Sequence, residues 1–90
     1  MIVEYRESFV RDIRKVKDPR LMASVECLIE QVEIAGKLTD IPDLKKLKHR
    51  GGYFRVRIGD YRCGLKIQGN TVTFVRFLHR KDIYRYFPNS

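Results

Sequence analysis

The sequence has no tryptophan and is poor in cysteine and proline, with two and three copies among 90 residues. Cys27 and Cys63 stand far apart, and neither has a second cysteine near it. The paired spacing that a zinc site needs is therefore absent. We expect both thiols to be reduced and to be buried as small apolar side chains.

Long apolar runs are also missing. No uninterrupted run is long enough to cross a bilayer, and residues 1–4 lack the basic start and apolar block of a secretory signal. We therefore expect a cytoplasmic protein without membrane contact. A hydrophobic content of 43% over this length predicts a single folded domain spanning residues 1–90.

Acidic side chains are nearly missing from the second half of the chain. Residues 48–90 contain ten Lys or Arg against Asp60 and Asp82, whereas residues 1–47 contain nine Lys or Arg and nine Asp or Glu. The net charge of +8 thus belongs to the second half, which predicts a phosphate-rich or strongly acidic partner. So few carboxylates disfavour a carboxylate general base and a two-metal site. We predict no metal and no cofactor.

The first half has the pattern of one strand and two helices. Residues 2–5 have strand character, and Ser8 is a suitable N-cap for a helix over residues 9–16. The apolar stripe of this helix leaves several charged residues facing water, namely Arg11, Asp12, Arg14 and Lys15. Two amphipathic helices joined by a short link predict a helical hairpin that covers one face of a sheet.

The second helix has clear signals at both ends. Asp18 is its predicted cap, Pro19 its first residue, and Gly36 stops it. Its acidic residues, Glu26, Glu30 and Glu33, are interpreted as a solvated face. Residues 37–52 show no period and are predicted to be a loop. The basic end of this loop contains Lys45, Lys46, Lys48, His49 and Arg50, which either contact phosphate or are a solvated run of cations.

From residue 53 the apolar period changes to two. Three strands, over residues 53–58, 61–67 and 71–78, are separated by turn compositions at Gly59-Asp60 and at residues 68–70. They predict an antiparallel meander followed by a short C-terminal helix, so the fold class is α+β. The third strand has large apolar residues on both faces, as an internal strand would.

One face of this meander is basic. Alternation places four cations on it, Arg55, Arg57, Arg62 and Lys66, and the tail adds Arg80, Tyr84 and Arg85. Guanidinium groups hold a phosphodiester by bidentate contacts, and tyrosine rings stack on bases, so single-stranded RNA suits the surface. With only Asp60 and Asp82 as carboxylates in this half, the chemistry open to the surface is metal-free cleavage, in which the 2′-hydroxyl of the RNA attacks the adjacent phosphate.

Each candidate has a plainer interpretation. Arg55 and Arg57 fit solubilising side chains of a half-exposed strand equally well, and Tyr84 fits a packing aromatic. His79 is a candidate acid or base, although a lone histidine at a strand end often serves as a structural hydrogen bonder. Arg62 has the stronger functional interpretation, because strand interiors seldom contain charge without a reason.

At these residues the sequence resembles the RelE/ParE family of toxins from type II toxin-antitoxin systems. The similarity extends over nearly the whole chain, and its specific segments are residues 53–62 (YFRVRIGDYR) and 79–85 (HRKDIYR). The resemblance implies a RelE-like fold and, in the RelE branch, a ribosome-dependent endoribonuclease that cleaves mRNA in the A site. The ParE branch shares the fold but inhibits DNA gyrase without nuclease chemistry.

The resemblance also implies roles for individual residues. Arg62 would stabilise the scissile phosphate, Arg80 would bind that phosphate or protonate the leaving 5′-oxygen, and Tyr84 would orient or deprotonate the 2′-hydroxyl. RNA-binding roles are expected for Lys48, Arg55, Arg57, Lys66, His79, Lys81 and Arg85. Arg55 and Arg57 stand where the branch may have lysines, and a guanidinium does not readily give up a proton.

The expected partners are mRNA on the ribosome and a cognate antitoxin, through which the toxin would oligomerise. We expect this antitoxin to be an extended, partly acidic segment that covers the basic face or displaces the C-terminal helix. Two alternatives stay open: a gyrase inhibitor without enzyme activity and a passive RNA-binding module.

Overall fold

Five strands and three helices follow one another along a computed structural model of the chain, which describes residues 1–48 and 50–88. The elements are β1 (Ile2–Tyr5), α1 (Glu7–Arg14), α2 (Pro19–Ile34), β2 (Leu44–Lys46), β3 (Tyr53–Ile58), β4 (Tyr61–Gln68), β5 (Thr71–His79) and α3 (Ile83–Tyr86). The strands form one sheet in the order β1-β5-β4-β3-β2. The predicted α+β class is confirmed.

The three C-terminal strands form the predicted antiparallel meander. Gly59 and Gly69 lie in its two turns with φ of 57° and 56°, a left-handed conformation that glycine adopts without a steric penalty. β1 lies parallel to β5 on the other side, which makes β5 an internal strand as predicted. β1 ends at Tyr5, opposite Phe74, so the rest of β5 has no strand partner on that side.

The prediction of a loop over residues 37–52 was wrong in two places. A 3-10 turn spans Leu38–Asp40, and β2 pairs antiparallel with β3 at the edge of the sheet. The sequence did not predict this strand because two of its three residues, Lys45 and Lys46, are charged and interrupt the apolar alternation by which strands are recognised. His49 lies outside the described residues.

α1 begins earlier than predicted, at Glu7, and its N-cap Arg6 makes no side-chain capping bond. Ser8 is therefore not the cap: its hydroxyl donates to the Val75 carbonyl at 2.6 Å. Asp12 was expected to face water but is buried, and its carboxylate accepts a hydrogen bond from the Phe77 amide at 2.9 Å. Ser8 and Asp12 are four residues apart on one helix face, so both satisfy β5 backbone groups where β1 has ended.

α2 has the predicted start, since the Asp18 carboxylate accepts from the Arg20 amide at 2.9 Å. It ends at Ile34, and Ala35 caps it before Gly36. Its buried face joins α1 and one face of the sheet in the main core, which contains Phe9, Val25, Leu28, Val32, Val56, Cys63, Leu65, Val72, Phe74 and Phe77. Of the described residues, none belongs to a helix long and apolar enough to span a bilayer.

The two cysteines differ in environment. Cys63 is fully buried as predicted, and burial together with the negative charge of Asp12 raises the pKa of its thiol. Cys27 is exposed on α2, contrary to the prediction. Cys27 lies at the margin of the apolar stripe of α2, where the sequence pattern does not tell a buried side chain from an exposed one.

α3 packs against the opposite face of the sheet. Its anchors Ile83 and Phe87 are buried there with Val75. Gly64 permits this approach, because a Cβ at that position would lie 2.7 Å from carbons of the Phe87 ring. Helices thus cover both faces of β5. In addition, the register between β4 and β5 shifts after Gly64. Both features explain why no single alternation of apolar and polar residues fits β5.

Candidate nucleic-acid interface

The basic side chains of β3 and β4 share the sheet surface that faces away from α1 and α2. Arg57 pairs directly with Arg62, and Arg55 pairs with Gly64, so all three arginines project to one side. We call this surface the arginine face. Their strand neighbours Val56 and Cys63 point into the main core on the other side. The predicted alternation of arginine and core residues is therefore confirmed.

Arg62 is held in place by the turn between β3 and β4. Its Nη1 donates to the carbonyl oxygens of Gly59 and Tyr61 at 3.0 and 2.9 Å. These contacts leave the Nε and Nη2 donors of the guanidinium for a ligand. A phosphate needs such a pair of parallel donors for bidentate binding.

The electrostatic surroundings of Arg62 identify its neighbours. Partial burial and the positive charges of Arg55, Arg57 and Arg80 lower the pKa of its guanidinium, while Tyr84 opposes the shift. These four residues are thus close enough to Arg62 to act on its charge, and we call the five together the five-residue group. Like charges held close together repel one another, and binding a phosphate relieves that repulsion.

Arg80 follows directly after β5 and is fixed to the same turn. Its amide donates to the Asp60 carbonyl at 2.7 Å, and its Nε lies 3.9 Å from the Asp60 carboxylate. Both side chains are largely exposed, so this ion pair is weak and a phosphate can replace it. Tyr84 lies on α3 with 56% of its surface exposed, which leaves its ring open to a substrate.

Other predicted contacts lie around this group. Lys66 lies over the Tyr53 ring at 5.6 Å, and Tyr53 meets the Phe87 ring edge-on. Since Phe87 lies against Gly64, midway between Arg62 and Lys66 on β4, it separates Lys66 from the five-residue group. The remaining predicted cations, Lys48, Lys81 and Arg85, are exposed.

His79 lies elsewhere. It pairs with Tyr61, whose ring stacks on Phe77 in the main core, and the His79 ring meets Tyr61 edge-on at 5.4 Å. Its Nδ1 accepts a hydrogen bond from the Lys81 amide at 3.2 Å. With Tyr61 it lines a concavity of about 590 Å³ at the open edge of β5, between α1 and Tyr86 of α3. This geometry fits the structural interpretation of His79.

Sequence reading did not recognise the roles of two residues of the arginine face. Lys45 pairs directly with Arg55, so β2 adds a further cation to the surface. Sequence reading placed Lys45 only in a basic loop end, and the strand pairing is what separates Lys45 from Lys46. Gly64 was taken as an ordinary strand position, although it admits the Phe87 ring.

The strands supply basic and aromatic groups but hardly any acid. β2 to β5 contain no Asp or Glu. Among residues 1–48 and 50–88, no three His, Cys, Asp or Glu side chains gather as metal ligands do. The side chains of the arginine face can bind phosphate and stabilise negative charge, and a phenol is the proton-bearing group beside them.

Comparison with known proteins defines the class. A family model described as the ParE toxin of type II toxin-antitoxin systems matches residues 3–84. The chain therefore belongs to the RelE/ParE family of type II toxins.

Individual relatives agree with this assignment. Toxin RelE3 of Methanocaldococcus jannaschii is 38% identical over 89 residues, which cover 98% of this chain and all of that protein. The RelB-RelE antitoxin-toxin complex of Methanococcus jannaschii has a chain with a TM-score of 0.81 and 35% identity over 94% of this chain and 99% of its own length. The RelBE2 toxin-antitoxin complex of Mycobacterium tuberculosis has a chain with a TM-score of 0.60 and 30% identity. That match covers 88% of this chain and 96% of the other chain.

Proposed function

We propose that this toxin is a ribosome-dependent endoribonuclease that cleaves mRNA without a metal ion and so stops translation in the cytoplasm. The observation that carries the proposal is one open surface on which Arg57 pairs with Arg62 beside Arg55, while Arg62 and Arg80 are both held at the turn between β3 and β4. The exposed Tyr84 acts on the charge of Arg62 there. An open basic surface suits an extended polyanion. The similarity to RelE3 supports the RelE branch.

In the proposed reaction, the 2′-hydroxyl oxygen forms a bond to the adjacent phosphorus and the bond from phosphorus to the 5′-oxygen breaks. The 2′-hydroxyl loses its proton to solvent, and the leaving 5′-oxygen gains a proton from solvent. Arg62 binds the phosphate through Nε and Nη2 and stabilises its added negative charge. Arg80 is a second phosphate ligand, and Tyr84 orients the 2′-hydroxyl.

The proposed dependence on the ribosome follows from what the face lacks. Its strands β3 and β4 contain no carboxylate, the neighbouring Asp60 lies in a turn beside Arg80, and His79 lies on the other side of the sheet. Without a strong built-in base, the rate depends on holding the 2′-hydroxyl in line with the phosphate, and placing reactants correctly can supply much of a barrier. The A site would hold the mRNA in that geometry.

We further propose that a cognate antitoxin neutralises this toxin and joins toxin copies into an oligomer. Solved relatives are complexes of RelE with RelB, which supports such a partner. A partly acidic segment laid over the arginine face would meet matching charge.

Mapping of mRNA ends on translating ribosomes after induced expression tests the nuclease proposal. New ends are expected with the parent protein, and Arg62→Ala should reduce them about 100-fold or more, the effect of losing one donor to a developing negative charge. Arg14→Ala, which removes an exposed cation from α1, is the matched control and should cleave like the parent. The proposal fails if the parent produces no new ends, or if Arg62→Ala and Arg80→Ala remain as toxic as the parent.

A gyrase inhibitor is the second candidate, because the matching family model is described as a ParE toxin. It predicts loss of supercoiling by purified gyrase without any new mRNA ends. Cleavage with normal supercoiling excludes it.

A further inference from the structure

We propose that Lys45 is an additional RNA-binding residue of the toxin, which contacts a phosphate beside the scissile one. This inference rests on the proposed nuclease function and extends its binding surface onto β2. The sequence places Lys45 in the electrically neutral half of the chain. The fold moves it next to Arg55.

The orientation of Lys45 follows from the strand register. Lys45 pairs directly with Arg55, and directly paired residues of neighbouring strands project to the same side. The residues around it agree: Leu47 packs against the cluster that contains Phe87 on the arginine face, whereas Leu44 packs against the main core. Alternation therefore places Lys45 with Leu47 and Lys46 with Leu44.

The distance to Arg62 decides what Lys45 contacts. Neighbouring strands lie about 5 Å apart and two residues along a strand span about 7 Å, so the Cα atoms of Lys45 and Arg62 are separated by roughly 12 Å across β3. Side chains stand roughly perpendicular to a sheet, so we expect the Lys45 ammonium group to keep this spacing rather than converge on the phosphate that Arg62 binds. It meets the next part of an extended strand of RNA that crosses β3 and β2.

The charge of Lys45 is available to a ligand. Its side chain is exposed, and no carboxylate within residues 1–48 and 50–88 forms an ion pair with it. An ammonium group binds phosphate as a point charge. The plainer role of Lys45 would be protection of an exposed sheet edge, since lysine often blocks pairing between edge strands.

Lys46 provides a matched control. It is the next residue, it is also exposed, and its substitution removes the same charge, but it pairs with Phe54 and belongs to the other face. An effect through net charge or edge protection would be the same in Lys45→Ala and Lys46→Ala. A phosphate contact would appear in Lys45→Ala alone.

The test measures kcat and KM for cleavage of mRNA on purified programmed ribosomes. Lys45→Ala should raise KM about tenfold, the loss expected for one hydrogen bond to a charged group, with kcat unchanged. Lys46→Ala should match the parent, and Lys45→Arg should restore most of the affinity. Arg62→Ala should instead lower kcat.

Each other outcome has a clear meaning. If the parent cleaves and Lys45→Ala behaves like Lys46→Ala, the inference fails while the nuclease function stands. If Lys45→Ala lowers kcat as Arg62→Ala does, Lys45 belongs to the reaction centre and a flanking contact is wrong. If the parent does not cleave, the proposed function fails and this inference fails with it.

Discussion

At the scale of single residues, the most consequential side chain outside the arginine face is Asp12. Its carboxylate accepts hydrogen bonds from Arg76 Nε at 2.8 Å, from Arg76 Nη2 at 3.1 Å and from the Phe77 amide. Arg76 in turn lies 5.5 Å from the centre of the Tyr86 ring on α3. One buried carboxylate thus connects α1, the open edge of β5 and α3.

Asp12→Ala should destabilise the fold by about 3 kcal/mol or more, because it leaves the Arg76 charge and the Phe77 amide without their partner. The two side chains are only 5% and 17% exposed, so water cannot easily replace the carboxylate. Urea unfolding followed by circular dichroism measures the loss. Glu30→Ala, which removes an exposed carboxylate from α2, should stay within about 0.5 kcal/mol of the parent. A similarly small change for Asp12→Ala would contradict this role.

At the scale of elements, local sequence patterns predicted the helices and strands that are determined by their own residues. Asp18 and Pro19 marked the start of α2, and the change to a period of two at residue 53 marked the meander. Features that depend on distant parts of the chain were missed. Ser8 is a common capping residue, but the Val75 carbonyl is its partner, and β2 exists because β3 offers it an edge.

The same limit applies to the candidate site. Arg55, Arg57 and Arg62 could be placed on one face by alternation alone, and the structure has them there. Lys45 and His79 could not, since their sides of the sheet depend on strand pairing that no local pattern shows. Whether the predicted residues act in catalysis stays a prediction.

The attachment of α3 leads to a prediction about Gly64. Gly64→Ala would place a Cβ 2.7 Å from the Phe87 ring, so the ring must move and α3 should dock less tightly. Overpacking of this kind costs about 1–3 kcal/mol. Thermal unfolding measures the stability, and trypsin cleavage after Arg85 reports release of α3.

Two variants separate this contact from a general effect of alanine. Gly51→Ala introduces a methyl group with no atom within 4 Å and should leave stability and cleavage close to the parent values. Phe87→Leu should reduce the penalty of Gly64→Ala, because residues in contact give non-additive energies. Additive losses in the double variant would show that the clash is not the cause.

At the scale of the whole molecule, the position of charge matters more than its sum. The net charge is +8, and strands β2 to β5 contain basic residues but no Asp or Glu to balance them. Folding adds Lys45 from the neutral half to the arginine face. Helices α1 and α2, by contrast, mix both signs. A polyanion should therefore approach the molecule from one side.

Two double variants with equal net charge test whether position governs RNA binding. Arg55→Ala with Arg57→Ala removes two cations from the arginine face, and Arg11→Ala with Arg14→Ala removes two exposed cations from α1. Binding of a single-stranded RNA is measured by fluorescence anisotropy between about 50 and 200 mM salt, where each phosphate contact contributes about 0.7 to the slope of log K against log salt. The first variant should lose about 1.4 from that slope, since it removes two phosphate contacts. The second should keep the parent slope, because its two charges lie on the side of the sheet opposite the arginine face. Equal losses in both variants would mean that net charge alone attracts the RNA.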